Sequence, residues 1–353
     1  MASTNIQVFS GDVEVEPAGM FTTANATVTQ RLTVDDTLRV SDGSSNPLNF
    51  ADLSLQVVAA PAWLQEQKLT AGDISGNSDW FGWSVAIDGD GDTAILGRPR
   101  SYTGSAFGVG AAYIFTRSGT TWTQQQKLQH SDGATLDYLG QSVSISKDGN
   151  TVAVGAYNKN TPSVNYAGAV YVFVRPPGGT TWTEQQKLLA TNPQLVDYLG
   201  WSVCISGDSN TVIGGGYLAI RGGVQKVGCA FVFTRSPGGT TWTQQQELPS
   251  PVSPEASEFG WSVALSDDGD TALVGAQRAL FVGQTAGAGS GGAYIFTRSG
   301  TTWTQQQKLQ HQSPVAGDYF GCSVTLSGDG NTALVGAEAQ DTGASDAGSV
   351  YFF

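Results

Sequence analysis

Few residues in this chain are of types that could do chemistry, and their spacing limits what that chemistry is. Asp88, Asp90 and Asp92 lie in Asp-Gly-Asp-Gly-Asp. Closely spaced carboxylates around a glycine turn suit the flexible oxygen shell of Ca²⁺. The same residues also read as a tight hairpin turn, because an alternating strand, Thr93-Ala-Ile, follows at once. Related turns carry one carboxylate each, Asp148, Asp208 and Asp329, while Asp267, Asp268 and Asp270 form a thinner acidic cluster. A hairpin is therefore expected at each turn. Ca²⁺ at Asp88, Asp90 and Asp92 is the alternative, and no other cofactor is indicated.

A second set of acids, Asp79, Asp137, Asp197 and Asp318, precedes an aromatic or leucine and a glycine each time. An acid that recurs so regularly does not behave as one catalytic residue; loop hydrogen bonding is its expected role. The two histidines, His130 and His311, hold equivalent places, so they read as copies of one loop and not as a triad or metal pair. No nucleophile elbow, phosphate loop or zinc spacing occurs. No catalytic residue is assigned, and a non-enzymatic protein is expected.

The remaining candidates are basic and aromatic. Arg98, Arg100, Lys159, Arg221, Lys226 and Arg278 break the regular pattern of positive charge, and all lie in the longer loops. Tyr102, Phe107, Tyr157, Tyr166, Tyr217 and Phe281 share those loops. In a protein of net charge −13, cations gathered on one rim could recruit an anionic glycan or an acidic protein patch, with the rings stacking on sugars. The bland alternative is solvated charges and aromatics packed on one another.

That acidic balance argues against nucleic acid, since phosphate contacts need clustered Lys and Arg. No apolar run is long enough to span a membrane, so no membrane insertion is expected. The N-terminus lacks the basic start and apolar core of a secretory signal peptide as written. The cysteines, Cys204, Cys229 and Cys322, cannot form a disulfide framework and are expected to be small buried residues.

The elements that position these residues come from a repeat. Thr-Thr-Trp-Thr-Gln-Gln-Gln-Lys-Leu occupies 120–128, returns nearly unchanged at 180–188 and 240–248 and unchanged at 301–309, and is foreshadowed by Trp63–Leu69. Its tryptophans, at 63, 122, 182, 242 and 303, are 59 to 61 residues apart. Each period reads as four short antiparallel strands. Strand a (as in Trp261-Ser-Val-Ala-Leu) leads through an Asp-Gly type turn to strand b (Thr-Ala-Leu-Val-Gly-Ala). A long loop precedes strand c (Gly168-Ala-Val-Tyr-Val-Phe), and a glycine turn precedes strand d, the Trp strand.

Five such units over residues 63–353 predict an all-β fold, a five-bladed β-propeller of four-stranded antiparallel blades. The orphan strand at Trp63–Leu69 is expected to complete the last blade and close the ring. In strand d, simple alternation puts Trp122, Gln124, Gln126 and Leu128 on one face, with the Trp as a packing anchor. Short turns fall on one side of the disc and long variable loops on the other. Residues 1–62 differ: Val28, Leu32, Val34, Leu38 and Val40 alternate in a short β-rich arm that cannot bury a core alone. The arm is expected to attach the propeller to other proteins of an assembly or to trimerise it.

The Phe-Gly and Gly-Ala pairs and the Gly-Ala-Val-Tyr-Val-Phe strand resemble the FG-GAP repeats of integrin α-subunit heads, across all five copies. The Thr-Trp-Thr-Gln-Gln-Gln-Lys-Leu copies are also similar to FG-GAP proteins of large algal viruses and marine microbes. The resemblance implies a recognition scaffold. It also implies a calcium loop, Asp-x-Asp-x-Asp-Gly-x-x-Asp, from which Asp88–Asp92 departs by lacking the last glycine and aspartate. The function expected is that of a structural and recognition protein on a virion surface. A lectin-like adhesion protein of a cell surface is the alternative, and a carbohydrate-active enzyme a more distant one.

Overall fold

Runs of Val, Ile, Ala and Tyr broken by glycine turns form strands throughout the computed structural model, which describes residues 65–353 apart from 74–78, 103, 105, 252–255, 281–288 and 341–346. The chain divides into two units, Met1–Glu66 and Gln67–Phe353. The arm of residues 1–62 and Trp63 lie outside the described residues, as does Phe281.

The second unit is an all-β, five-bladed β-propeller. Blade 1 holds β1 (Val85–Ile87), β2 (Thr93–Arg98), β3 (Ala111–Ser118) and β4 (Thr121–Leu128). Blade 2 holds β5 (Val143–Ile145), β6 (Thr151–Ala156), β7 (Ala169–Val174) and β8 (Thr183–Leu188). Blade 3 holds β9 (Ser202–Ile205), β10 (Thr211–Gly216), β11 (Cys229–Thr234) and β12 (Thr243–Pro249). Blade 4 holds β13 (Phe259–Leu265), β14 (Thr271–Ala276), β15 (Gly292–Ser299) and β16 (Thr302–Leu309). Blade 5 holds β17 (Phe320–Leu326), β18 (Ala333–Ala337) and β19 (Ser349–Phe352). Within each blade the strands pair in sequence order, antiparallel throughout.

Apolar layers between successive blades form the core. Ile95, Ala112, Ile114 and Leu128 of blade 1 pack against Val143, Ile145, Val152, Val154 and Trp182 of blade 2, and the pattern repeats along the array. Trp182, Trp242 and Trp303 are buried in these layers, as anchors should be. Burying one such ring removes ~150–250 Å² from water, an upper bound of roughly 4–6 kcal/mol.

Strand d does not alternate simply. In β4 the pairing skips from Gln126, opposite Ile114, to Gln124, opposite Phe115, leaving Gln125 in a bulge. The same shift leaves Gln185, Gln245 and Gln306 unpaired in the later blades. The extra residue sends Trp and Leu to opposite faces: Leu128 packs toward blade 2, while Trp122 packs with Tyr113 and Phe115. The bulged glutamine has a use. Gln125 Oε1 accepts the indole N–H of Trp182 at 2.9 Å, and Gln185 and Gln245 do the same for Trp242 and Trp303.

The fifth sheet holds three strands, and among the described residues 65–70 join no sheet. Gln67 nevertheless sits against blade 1 as a strand d residue should. It donates to the Trp122 carbonyl at 3.1 Å and accepts from its N–H at 2.8 Å. Gln126, Gln186 and Gln246 make the same pair of bonds to Trp182, Trp242 and Trp303.

Candidate ligand-binding face

The loop before each strand a carries the recurrent acid, and its backbone is unusual. The residue after the acid is left-handed although it is not glycine: Trp80, Tyr138, Tyr198 and Tyr319, with φ of 54–57°. Glu258, which takes the acid's part in blade 4, is itself left-handed at 54°. Such backbone costs about 1–3 kcal/mol at each site and persists only where its surroundings hold it. The glycine two residues on is what holds it. Gly200 has φ 94°, and a Cβ there would stand 2.4 Å from the Ala169 carbonyl. The preceding Leu199 forms a bridge with Gly168 of the neighbouring blade, and Leu139, Phe259 and Phe320 make the same bridge. The Phe-Gly of one blade therefore locks onto the Gly-Ala of the blade before it.

The acids themselves are buried: Asp79, Asp137, Asp197, Glu258 and Asp318. Three cap their own loop, with Asp137 Oδ2, Asp197 Oδ2 and Asp318 Oδ2 each accepting a backbone N–H from three residues earlier at 2.7 Å. A buried carboxylate also needs a counter-charge, since leaving it unpaired costs several kcal/mol. That requirement relocates most of the basic residues expected to face a ligand. Arg98 is buried; it donates to Asp79, to Asp73 at 3.0 Å and to the Tyr113 hydroxyl at 2.8 Å. Lys159, also buried, reaches Asp137 at 2.8 Å. Arg221 bridges Asp197 and Glu247, at 2.7 Å each. Arg278 lies 3.4 Å from Glu258. The histidines belong to the same belt, with His130 Nε2 2.9 Å from Asp137 Oδ2 and His311 Nε2 2.9 Å from Asp318 Oδ2. Burial alone would raise the Asp137 carboxyl, but hydrogen bonds from His130 and Lys159 outweigh it and hold it below the ordinary carboxylate range.

Two of the six expected cations stay outside these pairs. Lys226 is exposed, and the half-buried Arg100 lies 3.5 Å above the Trp80 ring, which in turn stacks on Trp83 at 4.6 Å. Tyr102 is exposed and leans on Phe107 at 5.1 Å.

Sequence reasoning found only part of a larger feature, naming Tyr157, Tyr166 and Tyr217 but not Tyr138, Tyr198, Trp201 or Trp261. Tyr138, Tyr157, Tyr198, Trp201, Tyr217 and Trp261 form one run of rings across blades 2–4. Tyr138 stacks on Tyr157 at 5.4 Å, Tyr157 meets Trp201 at 5.3 Å, and Trp201 meets Tyr217 at 4.5 Å and Trp261 at 5.1 Å. Tyr166 joins through Tyr198 at 5.8 Å. Tyr166 is exposed and the others are half-buried. Burial pushes the Tyr157 and Tyr217 hydroxyls up to about 12, so both stay protonated donors at neutral pH. The signal was the aromatic just after the Phe-Gly or Leu-Gly pair, as in Trp201 and Trp261, which reads as an ordinary strand residue until the blades are assembled.

The three acids of the Asp88 turn are not gathered about a common point. Asp88 Oδ1 accepts the N–H groups of Asp92 and Thr93 at 3.0 Å, while Asp92 turns outward to Arg117 at 3.1 Å. Among the described residues, no group of three or more His, Cys, Asp or Glu side chains is placed to hold a metal ion. Cys229 is buried, Cys204 and Cys322 are half-buried, and all three are free thiols.

The repeats that carry the Phe-Gly and Gly-Ala lock match a known family. The FG-GAP repeat model matches residues 63–115, 122–173, 182–233, 242–296 and 303–353. The chain belongs to the FG-GAP repeat family. Membership points to a protein-binding or adhesion-type role for this FG-GAP propeller. No curated protein matches it, and among the described residues no helix is long and apolar enough to cross a membrane.

Proposed function

We propose that this FG-GAP propeller is a non-enzymatic recognition protein of a virion surface that holds its ligand over the aromatic run on the loop face, with residues 1–62 attaching it to the particle. The observation that carries the reading is the run itself, with half-buried and exposed rings continuous across three blades above a belt of neutralised charges. Loops over a rigid scaffold are where recognition usually resides, and aromatic side chains dominate binding hot spots. Because Arg98, Lys159, Arg221 and Arg278 are paired internally, stacking and hydroxyl donors supply the affinity, with Arg100 and Lys226 left to meet negative charge. The virion assignment rests on the likeness of the Trp-strand copies to algal-virus proteins; the same face on a cell surface is the second reading.

The test is binding of the purified protein to host cells, to a glycan panel and to proteins extracted from both. The double variant Trp201→Ala, Tyr217→Ala is expected to lose at least ~30-fold in affinity, the scale of a hot-spot loss of about 2 kcal/mol. Binding should change little between low and high salt. Parent-like affinity in the double variant refutes the face, and product release from a polysaccharide refutes the non-enzymatic reading.

A further inference from the structure

The loops that join strand b to strand c in blades 2 and 3 are folded alike. In each the chain turns back on itself, Thr161 N–H donating to the Val164 carbonyl at 2.9 Å and Arg221 N–H to the Val224 carbonyl at 3.1 Å. Two residues on, each loop meets the next blade. The Tyr166 carbonyl accepts the N–H of Tyr198 at 3.0 Å, and the Lys226 carbonyl accepts that of Glu258 at 2.9 Å. Tyr198 and Glu258 open the turns that carry two rings of the aromatic run, for their own carbonyls accept the N–H groups of Trp201 at 3.1 Å and Trp261 at 3.2 Å. Blade 1 makes the same inter-blade bond, from Tyr138 N–H to the Gly108 carbonyl at 2.8 Å.

The position that makes this bond is left-handed in all three blades, with φ of 69° at Gly108, 55° at Tyr166 and 61° at Lys226. Glycine adopts such backbone freely, whereas a residue with a Cβ adopts it at a cost. Blades 2 and 3 thus carry a side chain where blade 1 carries none. Neither side chain is used to hold the fold together. Tyr166 is exposed, its ring leaning on Tyr198 at 5.8 Å, and among the described residues its hydroxyl has no partner. Lys226 is exposed too, and among the described residues its ammonium meets no carboxylate. Strained backbone that the fold does not require points to a task outside the fold.

The chemistry at the two positions narrows the ligand. Tyr166 lengthens a run of rings whose hydroxyls, on Tyr138, Tyr157, Tyr198 and Tyr217, also lack partners among the described residues. Ring faces beside free phenol donors suit a saccharide, which offers apolar C–H faces and many hydroxyl acceptors; a protein partner would bury those phenols against fewer. Lys226 adds a cation one blade along, in a protein of net charge −13. We infer that Tyr166 and Lys226 are specificity-determining contacts of the loop face and that its ligand is an acidic saccharide, with a sugar ring stacked on Tyr166 and a carboxylate or sulfate on Lys226. The inference rests on the proposed use of the loop face and adds the class of ligand. One exposed ion pair of this kind leaves the salt dependence of binding small.

The test uses the full chain on an array of neutral, carboxylated and sulfated oligosaccharides, with Tm measured alongside. The parent should bind acidic members more tightly than neutral members of the same backbone, and the two acidic sets tell which acid is read. Tyr166→Gly and Lys226→Gly install the residue that blade 1 uses, so each should melt at or above the parent's Tm. Tyr166→Gly should nevertheless lose roughly tenfold in affinity for every bound member. Lys226→Gly should lose about fivefold for acidic members alone, and Lys226→Arg should keep the parent's affinity. A Tm lowered by several degrees in either glycine variant shows that the side chain serves the fold, and it overturns the inference. So does parent-like affinity in either variant, an equal loss on neutral and acidic members for Lys226→Gly, or a parent that binds proteins but no oligosaccharide. The double variant Trp201→Ala, Tyr217→Ala keeps the two readings apart. If it loses binding while the glycine variants retain it, the face stands and this inference falls; if it too binds as the parent does, both fall.

Discussion

Replacing Arg98 with methionine separates the two roles open to this residue. Its side chain is 2% exposed, and its guanidinium is the counter-charge for Asp79, whose side chain is 5% exposed. Arg98→Met keeps most of the packed volume and leaves that carboxylate buried and unpaired. Removing one partner of a buried pair costs about 3–5 kcal/mol. The lower end applies here, because Asp73, the second partner, is 45% exposed and keeps Lys127 at 2.5 Å. About 3 kcal/mol at roughly 2–4 °C per kcal/mol corresponds to a fall of about 6–12 °C in Tm. Thermal melting by circular dichroism would read it, with hydrogen exchange of β2 and β3 to show whether blade 1 opens first, as a repeat array permits. Arg98→Met combined with Asp79→Asn should recover part of the loss, since no bare charge then remains. Arg100→Ser, which removes a cation over an exposed ring, should cost no more than ~1 kcal/mol. If Arg98→Met melts within 1 °C of the parent, Asp79 does not depend on Arg98, and the arginine is free to meet a ligand.

Three further outcomes follow from the same contacts. Gly200→Ala should destabilise by more than about 3 kcal/mol, because it combines a left-handed backbone with a Cβ 2.4 Å from the Ala169 carbonyl; Gly178→Ala, at φ 72° with nothing within 4 Å, should cost only ~1 kcal/mol in the same urea titration. The Asp137 carboxyl sits below its ordinary value of 3.8, so its stabilisation is complete above that value and is lost as pH falls through the lower folded one; Asp137→Asn should therefore narrow the gap in Tm between about pH 5 and pH 2. Because Asp88 caps its own turn and Asp92 pairs with Arg117, millimolar Ca²⁺ should leave the Tm unchanged, and a rise of several degrees would show that the turn opens to take the ion.

The fold was largely legible in the sequence, for a physical reason. A left-handed glycine, a hairpin turn and a buried tryptophan each demand a particular residue at a particular backbone position, so five copies display them in step. The bulge in strand d was not legible, because Gln124, Gln125 and Gln126 are chemically identical and only the pairing with β3 shows which one is extruded. Of the aromatic run only Tyr157, Tyr166 and Tyr217 were legible as loop aromatics; their joining with Tyr138, Tyr198, Trp201 and Trp261 shows only after the blades stack. The Trp63–Leu69 stretch is expected to complete the last blade, yet among the described residues the fifth sheet holds three strands, and Gln67 bonds to Trp122 of blade 1.

The charges show most clearly why periodicity divides as it does. The acid before each strand a lies close to its own turn, where Asp137, Asp197 and Asp318 each cap a backbone N–H, and it recurs at 79, 137, 197, 258 and 318. Its counter-ion has only to bring a charged group within 3–4 Å, and many loop positions can do that with a long side chain. One blade therefore uses Arg98 at the end of β2, the next Lys159 three places further on, then Arg221 and Arg278, while in the fifth His311 Nε2 stands 2.9 Å from Asp318. Scatter in sequence thus hides a constant partner in space. Irregular cations in the loops of an acidic repeat protein look like a ligand site because selection for a ligand would scatter them too. What distinguishes the cases is whether a periodic buried acid is waiting beneath. Here one is, in every blade, and the loop face that remains is largely aromatic.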